Sequence, residues 1–205
     1  MARIDDYINA KKIAAEDLSK KSFDEICKDS GFEVEKANVI IIPFLNRIYH
    51  IIYPSFDFID EENKKDNSVP IQEQVLILHY LEGLGHSKLS GRFVSYREIP
   101  GASFYYGAFV NRAINPLKNV FGKNISGLKK AAGILNGRSI HPGDVSFEFK
   151  VFPNVVIQLI IWQGDDEFPA EANIIFDDAI IKIFSPEDIA WLSGMLVYRL
   201  IALSR

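Results

Sequence analysis

Val145–Trp162, VSFEFKVFPNVVIQLIIW, is the stretch that decides the fold. Its first part, Val145–Val151, alternates apolar and polar residues, which predicts a strand with one buried and one wet face. Its second part, Val155–Trp162, is almost wholly apolar, as a central strand would be. Pro153 and Asn154 supply the tight turn between the two strands. The stretch therefore predicts an antiparallel hairpin near the middle of a sheet.

Downstream of this hairpin the sequence predicts a third strand and a final helix. The strand is Ala172–Phe176, which is apolar and β-branched. Ser185 has the properties of an N-cap, Pro186 suits the first helical position, and acidic residues follow in the first turn. Ile189–Leu203 is interrupted by Arg199 and is interpreted as a packed helix.

Upstream of the hairpin, helical and strand-like segments follow one another without regular alternation. The predicted elements are a helix over 7–19, a capping box at Ser22 and Glu25, a β-meander over Phe32–Ile59, a polar loop over Asp60–Ser68, a helix from Pro70 with left-handed ends at Gly83 and Gly85, a strand over Leu89–Tyr96, a turn over Arg97–Phe104, a helix over Ala108–Phe121 kinked or divided by Pro116, and a helix over Leu128–Leu135. This order predicts an α+β fold of one 205-residue domain, with antiparallel β-meanders, packed helices and a C-terminal helix. Residues 1–31 are expected to form a helical N-terminal extension.

Composition excludes several function classes. Hydrophobic residues make up 48% of the chain and charged residues 24%, as in soluble globular proteins. The formal net charge of -4 disfavours binding to nucleic acid or to an anionic membrane surface. Cys27 is the single cysteine, so this chain alone forms no disulfide, four-thiolate zinc site or iron–sulfur cluster. With no signal-peptide pattern and no apolar run of about 20 residues, a cytoplasmic location is expected.

The strongest candidate for a site is the acidic segment Trp162–Asp178, in which six of seventeen residues are carboxylates. Like charges at this density repel one another, which is costly unless arginines or a cation neutralise them or water solvates them. A carboxylate pair able to share a water or a metal would come from Asp165, Glu167 and Glu171, which the turn could bring together, or from Asp177 and Asp178. Glu171 and Asp177 share a strand face but lie about 20 Å apart at about 3.3 Å per residue. The ligand-binding candidates are Trp162, Asp165, Asp166, Glu167, Glu171, Asp177, Arg97 and His79.

Three interpretations of the acidic segment remain open. They are a solvated hairpin partly neutralised by arginines, a hard-cation site, and a site for a cationic ligand. The calcium-loop pattern is absent, and the arginines available for neutralisation are Arg92, Arg97, Arg112 and Arg138.

Other chemical motifs are missing from the sequence. His50, His79, His86 and His141 have no HExxH or paired metal spacing, although His79 lies beside Tyr80 within a predicted helix. There is no GxSxG elbow, no residue placed to activate Cys27, and no complete dinucleotide or phosphate loop. Phe104, Tyr105 and Tyr106 could line an apolar pocket for a cofactor, although aromatic residues this frequent usually belong to a core.

Several motifs in order resemble a known family. They are LILHYLEGLGHSKLSGRFVSYREIPG, FYYGAFVNRA, the step Gly143-Asp144-Val145, and WQGDDEFPAEANIIFD followed by the Pro186-Glu187-Asp188 helix. Together they resemble the domain of unknown function family 3786, over about 34–200, and the family domain is assigned to 32–205. The positions that match the family's pattern are His79, Arg97, Glu98, Trp162, Gly164, Asp165, Glu167, Phe168, Pro169, Phe176 and Asp177.

The resemblance implies an uncharacterised protein of anaerobic bacteria and archaea, with no activity to carry over. Some family members carry an added four-cysteine iron–sulfur module, which this chain's single cysteine rules out here. The resemblance therefore implies, as partners, a small molecule or an iron–sulfur or corrinoid partner protein.

We therefore expect a ligand- or partner-binding accessory domain with an acidic hairpin site that works together with the Arg97 turn. The alternatives are a metal-assisted enzyme that uses Asp165, Glu167, Glu171 and His79, and a cofactor-binding accessory protein. The ligand, the reaction and the oligomeric state do not follow from the sequence.

Overall fold

The computed structural model describes residues 4–32, 34–36, 38–60, 69–83 and 88–205. The chain forms two compact units, residues 1–87 and 88–205. The predictions for residues 61–68, Gly85 and His86 lie outside the described residues.

In its described residues, the N-terminal unit combines three helices with a four-stranded antiparallel meander of order β1-β2-β3-β4. Helix α2 begins with the predicted capping box, in which the Ser22 hydroxyl and the Glu25 carboxylate each bind the other's backbone N–H. The elements are α1 (Ile4–Leu18), α2 (Phe23–Ser30), β1 (Val34–Lys36), β2 (Val39–Phe44), β3 (Arg47–Ile52), β4 (Asp57–Asp60) and α3 (Ile71–Glu82).

Two local predictions for this unit are wrong. Asp60 is not the first residue of a polar loop: it ends β4, and only 3% of its surface is exposed. Gly83 has φ −78°, so the C-cap of α3 is right-handed and needs no glycine. Its N–H donates to the His79 carbonyl, which continues the last helical turn instead of reversing it.

The C-terminal unit carries a five-stranded antiparallel sheet of order β5-β9-β8-β7-β6 and five helices. The central hairpin, its Pro153-Asn154 turn and the third strand are where the sequence predicts them. The elements are β5 (Phe93–Ser95), α4 (Tyr106–Phe109), α5 (Asn115–Phe121), α6 (Ile125–Ile134), β6 (Arg138–Ser139), β7 (Val145–Phe152), β8 (Val155–Trp162), β9 (Glu171–Asp177), α7 (Ile180–Ile183) and α8 (Pro186–Leu203).

One face of this sheet forms the core against the helices. The register pairs Ile157 with Phe176 and Leu159 with Ile174, and all four side chains are fully buried. The Phe176 ring lies 6.2 Å from the Phe109 ring of α4, measured between centroids. Each such aromatic or aliphatic side chain stabilises the fold by about 1.5–3 kcal/mol when fully buried.

The other face is drier than strict alternation in β7 predicts. Ser146 is 1% exposed, and its hydroxyl donates to the Ile140 carbonyl at 2.9 Å. A Cβ on Gly143 would lie 2.8 Å from Ile160 Cγ2, so the segment 140–143 crosses close over β8. The chain before β7 thus covers part of the face that the sequence assigns to water.

The helix predicted over Ala108–Phe121 is continuous, and Pro116 does not divide it. It runs from α4 through a π-helical segment, Val110–Ile114, into α5. Pro116 falls in the first turn of α5, where its missing N–H is tolerated. The irregularity is therefore a widened turn before the proline and not a break at it.

The C-terminal helix α8 begins as predicted, with Ser185 and Asp188 forming a capping box. Gly194 lets α8 approach the π-helical segment, because a Cβ there would meet Arg112 at 3.3 Å. Among the described helices, none is both long enough and apolar enough to cross a membrane. The α+β class, the antiparallel meanders and the final helix are confirmed, whereas the domain limits stay a prediction.

Candidate functional site

The acidic loop, defined as Asp165, Asp166 and Glu167, is an exposed turn between β8 and β9. The Asp165 carboxylate accepts hydrogen bonds from the N–H groups of Glu167 at 2.9 Å and Phe168 at 2.7 Å. These bonds lower the pKa of Asp165. Its own N–H donates to the Phe168 carbonyl at 2.9 Å. Asp165 therefore closes the turn, as aspartates in such turns commonly do.

The neighbours of Asp165 are arranged differently. Asp166 and Glu167 are exposed, and Glu171 lies directly across the ladder from Trp162, which is 41% exposed. Gly164 is required at the loop entrance, because a Cβ there would lie 2.6 Å from the backbone nitrogen of Ala170. The loop is thus rigid at its base, with its acidic side chains turned to water.

The arginines expected to neutralise the loop are engaged elsewhere. Arg92 pairs with Asp178 at 2.6 Å, and Arg138 pairs with Glu148 at 2.6 Å. The guanidinium of Arg112 lies 4.3 Å from the Trp191 ring centroid. Hydrogen bonds from Arg138 and from Gln158 lower the pKa of Glu148 despite its partial burial.

Asp177, at the far end of β9, is a buried structural anchor. Only 2% of its surface is exposed, and its carboxylate accepts from the N–H groups of Gly91 at 2.7 Å, Ala179 at 3.0 Å and Ser90 at 3.1 Å. Gly91 has φ +75°, which favours glycine there. Asp177 therefore holds the chain that enters β5 against the end of β9.

Arg97 lies in the turn after β5, at the rim of a small cavity. Its guanidinium carbon is 4.1 Å from the centroid of the Tyr106 ring, within cation–π range. We call the cavity the Arg97 pocket; its volume is about 130 Å³. Its lining residues are Ser95, Tyr96, Arg97, Tyr106, Phe109, Ile114, Ala172 and Asn173.

The floor of the Arg97 pocket is rigid and aromatic. Tyr96 stacks on Phe109 with 4.1 Å between ring centroids and 3° between ring planes. The Tyr96 hydroxyl donates to the Pro186 carbonyl at 2.8 Å, and burial raises the pKa of Tyr96 to about 12. Phe104, by contrast, is 85% exposed, so of the aromatic trio in the sequence it is Tyr106 that contributes to this pocket.

The turn that carries Arg97 is fixed by its own cap. The Glu98 carboxylate accepts from the Ser95 N–H at 2.7 Å, and this bond lowers the pKa of Glu98. Tyr96–Glu98 form a single 3-10 turn that leads the chain away from the sheet. The strand predicted over Leu89–Tyr96 is therefore limited to Phe93–Ser95.

Because β5 is this short, the first half of β9 has an unpaired edge. The Asp178 N–H donates to the Arg92 carbonyl at 2.9 Å, so Asp178 directs its backbone groups toward β5. Every second residue of an antiparallel strand does the same, and Ile174 and Ala172 therefore also direct their N–H and carbonyl groups to the β5 side. Among the described strands, none pairs with them there. The Ile174 N–H instead lies 2.9 Å from the Asn173 side-chain oxygen.

Metal ligation has no ligand set within the described part of the chain. No group of three or more His, Cys, Asp or Glu side chains is placed there to hold an ion. His79 lies half-buried on α3, in the N-terminal unit. Burial raises the pKa of the Cys27 thiol, which works against an activated nucleophile.

A buried polar cluster in the N-terminal unit was missed by the sequence reasoning. The Tyr49 hydroxyl donates to the Glu73 carboxylate and lies 3.4 Å from an Arg47 nitrogen. Arg47 also lies 3.6 Å from Asp60. Burial, together with Glu73, raises the pKa of Tyr49. The available signal was the helical spacing that places Glu73 on the same face of α3 as Leu76, Ile77 and Tyr80.

Of the predicted site residues, the structure brings Arg97 to a cavity beside β9 and spreads the carboxylates along the acidic loop and β9. Neither a curated protein nor a solved structure matches the chain. The family comparison matches residues 22–199 to "Domain of unknown function (DUF3786)". Most of the chain is covered by this match, and the protein belongs to the DUF3786 family.

Proposed function

We propose that this chain is a cytoplasmic accessory domain that binds a ligand or partner through the Arg97 pocket of its C-terminal unit. The observation that carries the proposal is the guanidinium of Arg97 resting 4.1 Å from the Tyr106 ring above an aromatic cavity. The exposed side of the pocket makes it accessible, and the stacked floor makes it preformed.

The chemistry of the pocket suits a carboxylate or another planar anion. The guanidinium carbon of Arg97 lies over the Tyr106 ring, and Arg97 is an exposed residue, so its N–H donors can be reached by a bound group. A guanidinium presents these donors in a planar fork that matches a carboxylate. The tyrosine, phenylalanine and isoleucine side chains below it suit the apolar carbon atoms that carry such a group.

Size limits the group that enters. The cavity of about 130 Å³ is well below the roughly 300–1,000 Å³ of typical cofactor and drug-sized sites. It is closer to the space that one amino-acid side chain fills. The proposal is therefore binding of a small acid or of one acidic group of a larger partner.

The acidic loop leads directly into the strand whose second and third residues, Ala172 and Asn173, line the pocket. Participation of Asp165 and Glu167 in binding stays a prediction. A ligand with both a carboxylate and an amine would use Arg97 for the first and the acidic loop for the second.

The test is titration of the full chain with succinate, glutarate and glutamate, followed by NMR of the Arg97 Nε and the Tyr106 ring protons. We expect saturable shifts confined to the pocket in the wild-type chain, and we expect the shifts of the Tyr106 ring protons to be lost in Arg97→Gln. Arg205→Gln is the matched control, because it removes the same charge from the exposed C-terminal residue.

Shifts that persist unchanged in Arg97→Gln, or no shift with any of the three acids, would contradict the proposal. The double variant Asp166→Asn/Glu167→Gln then separates the roles of the two regions. Loss of glutamate binding with retained succinate binding would assign the amine to the acidic loop.

A further inference from the structure

We infer that the ligand of the Arg97 pocket is an extended peptide segment of a partner protein, which pairs with the open edge of β9 and places an acidic side chain under Arg97. This inference rests on the proposed function and names the class of partner. It depends on three features that meet at the same edge of the sheet.

The first feature is the direction of the backbone groups. The bond from Asp178 N–H to the Arg92 carbonyl fixes which residues of β9 face the β5 side. By the alternation of an antiparallel ladder, Ala172 directs both its N–H and its carbonyl to that side. A strand added there would exchange two backbone hydrogen bonds with Ala172, as in other cases of strand addition.

The second feature is the way β5 ends. Ser95 pairs with Ile175, and the next three residues turn away as the capped 3-10 turn. If β5 had continued, Tyr96 and Glu98 would lie opposite Ile174 and Ala172. The added peptide occupies the position that a longer β5 would have taken. We therefore expect it to run antiparallel to β9, as β5 does.

The third feature is the position of the Arg97 pocket along this edge. Ala172 and Asn173 line it from the strand side, and Arg97 and Tyr106 line it from the turn and helix. A cavity of about 130 Å³ accepts one side chain of the peptide. The methylene groups of a glutamate would lie on the rings, while its carboxylate meets the guanidinium.

One backbone donor of this edge already has a partner within the chain. The Asn173 side-chain oxygen lies 2.9 Å from the Ile174 N–H, which satisfies a donor that would otherwise invite pairing. Ile174 is also fully buried, so the peptide leaves this bond in place and pairs with Ala172, which is only half-buried.

The probe is the capped peptide acetyl-TVTETVT-amide, titrated into the full chain at concentrations where the peptide is monomeric. Three variants accompany it: glutamine in place of the glutamate, and N-methylation of one or the other set of alternate residues. Each methylation pattern removes the N–H donors from one edge of the extended peptide. Because strand addition uses only one edge, only one of the two patterns should prevent binding.

We expect one methylation pattern to abolish binding and the other to leave it within about threefold. Exchange of the Ala172 amide with solvent slows in the complex. Arg97→Gln weakens binding of the glutamate peptide by about tenfold or more and brings it to the level of the glutamine peptide.

Ala172→Pro supplies a protein-side test, since it removes the outward N–H and leaves the ladder with β8 untouched. It should abolish peptide binding and leave succinate shifts at Arg97 in place. If this variant does not fold, the methylated peptides still decide the question.

Three outcomes would overturn the inference. Equal binding of both methylated peptides would exclude pairing at an edge. Succinate binding at Arg97 without peptide binding would leave the proposed function standing and end the peptide inference, whereas failure of both would end both. A dimer of the wild-type chain that Ala172→Pro dissociates would assign the edge to a second copy.

Discussion

Asp165 and Asp177 lie in the same acidic segment, yet the fold uses them in opposite ways. Asp177 is 2% exposed and accepts three backbone N–H bonds from chain segments far apart in sequence. Asp165 is exposed and accepts two backbone N–H bonds from its own turn. One carboxylate joins distant parts of the unit, and the other shapes a local loop.

The difference shows that the number of carboxylates in a segment does not indicate a site. What matters is which donors face each of them, because a buried carboxylate requires partners and an exposed one does not. The role of the acidic segment is thus divided between architecture at Asp177 and an exposed, charged surface at Asp166 and Glu167.

The largest effect is expected from Asp177→Ala, which leaves the N–H groups of Ser90, Gly91 and Ala179 without this acceptor. A hydrogen bond to a charged group contributes about 1.5–3 kcal/mol, and three such bonds are lost, so we expect the free energy of unfolding to fall by roughly 3 kcal/mol or more. Urea denaturation measures it. A loss below about 1 kcal/mol would remove the distinction between Asp177 and Asp165.

The next effect is expected from Tyr49→Phe in the N-terminal unit, where the Glu73 carboxylate loses one donor. A hydrogen bond to a charged group contributes about 1.5–3 kcal/mol, so a loss of about 2 kcal/mol is expected. Tyr80→Phe is the matched control, because the Tyr80 hydroxyl donates to a neutral carbonyl, that of Ser30 at 3.0 Å.

Tyr49 also predicts the pH dependence of stability. Its pKa is raised by burial and by Glu73, so the unfolded chain releases the phenol proton first. Its contribution is fully present below the ordinary tyrosine pKa of about 10 and is lost as pH rises further through the folded-state pKa. The free energy of unfolding should fall less steeply above pH 10 in Tyr49→Phe than in the wild-type chain. Equal slopes would contradict a buried, hydrogen-bonded phenol.

A smaller effect is expected from Asp178→Asn, which breaks the pair with Arg92 beside the Asp177 anchor. Hydrogen bonds from Ser90 and Arg92 lower the pKa of Asp178. Its contribution is therefore present above the ordinary aspartate pKa and is lost as pH falls through the lowered value. Thermal melts at low and high salt measure it. The loss should shrink as salt rises.

The smallest effect on global stability is expected from Asp165→Asn. The lowered pKa of Asp165 means that its bonds to the turn persist above the ordinary aspartate pKa and are lost as pH falls through the lowered value. Amide exchange at Glu167 and Phe168 should therefore accelerate on acidification, with the melting temperature almost unchanged. A loss of stability comparable to Asp177→Ala would show that the loop is structural throughout.

Much of the fold could be predicted, because its elements carry local signals. The capping boxes at Ser22 and Ser185 and the Pro153-Asn154 turn follow from a few neighbouring residues. The hydrophobic pattern of β8 likewise predicts a central strand. These features depend on propensity and periodicity, which a single sequence shows.

The site could be predicted less well, because its properties depend on contacts distant in sequence. Asp177 meets Gly91 across 86 positions, so its role as an anchor leaves no local pattern. Arg97 was singled out, but its partner Tyr106 and the open edge at Ala172 follow from where β5 stops. Burial of Asp60 similarly depends on the distant packing of β4.

The π-helical segment Val110–Ile114 gives the Arg97 pocket a narrow tolerance for changes in length. A π turn holds one residue more than the regular spacing, and each helical residue rotates its neighbours by about 100°. Deleting a single residue there would rotate Tyr106 and Phe109 relative to Ile114 and so separate residues that line the cavity. Because Phe109 also packs on Tyr96 and Phe176, such a deletion would lower the stability of the C-terminal unit together with its recognition of a ligand.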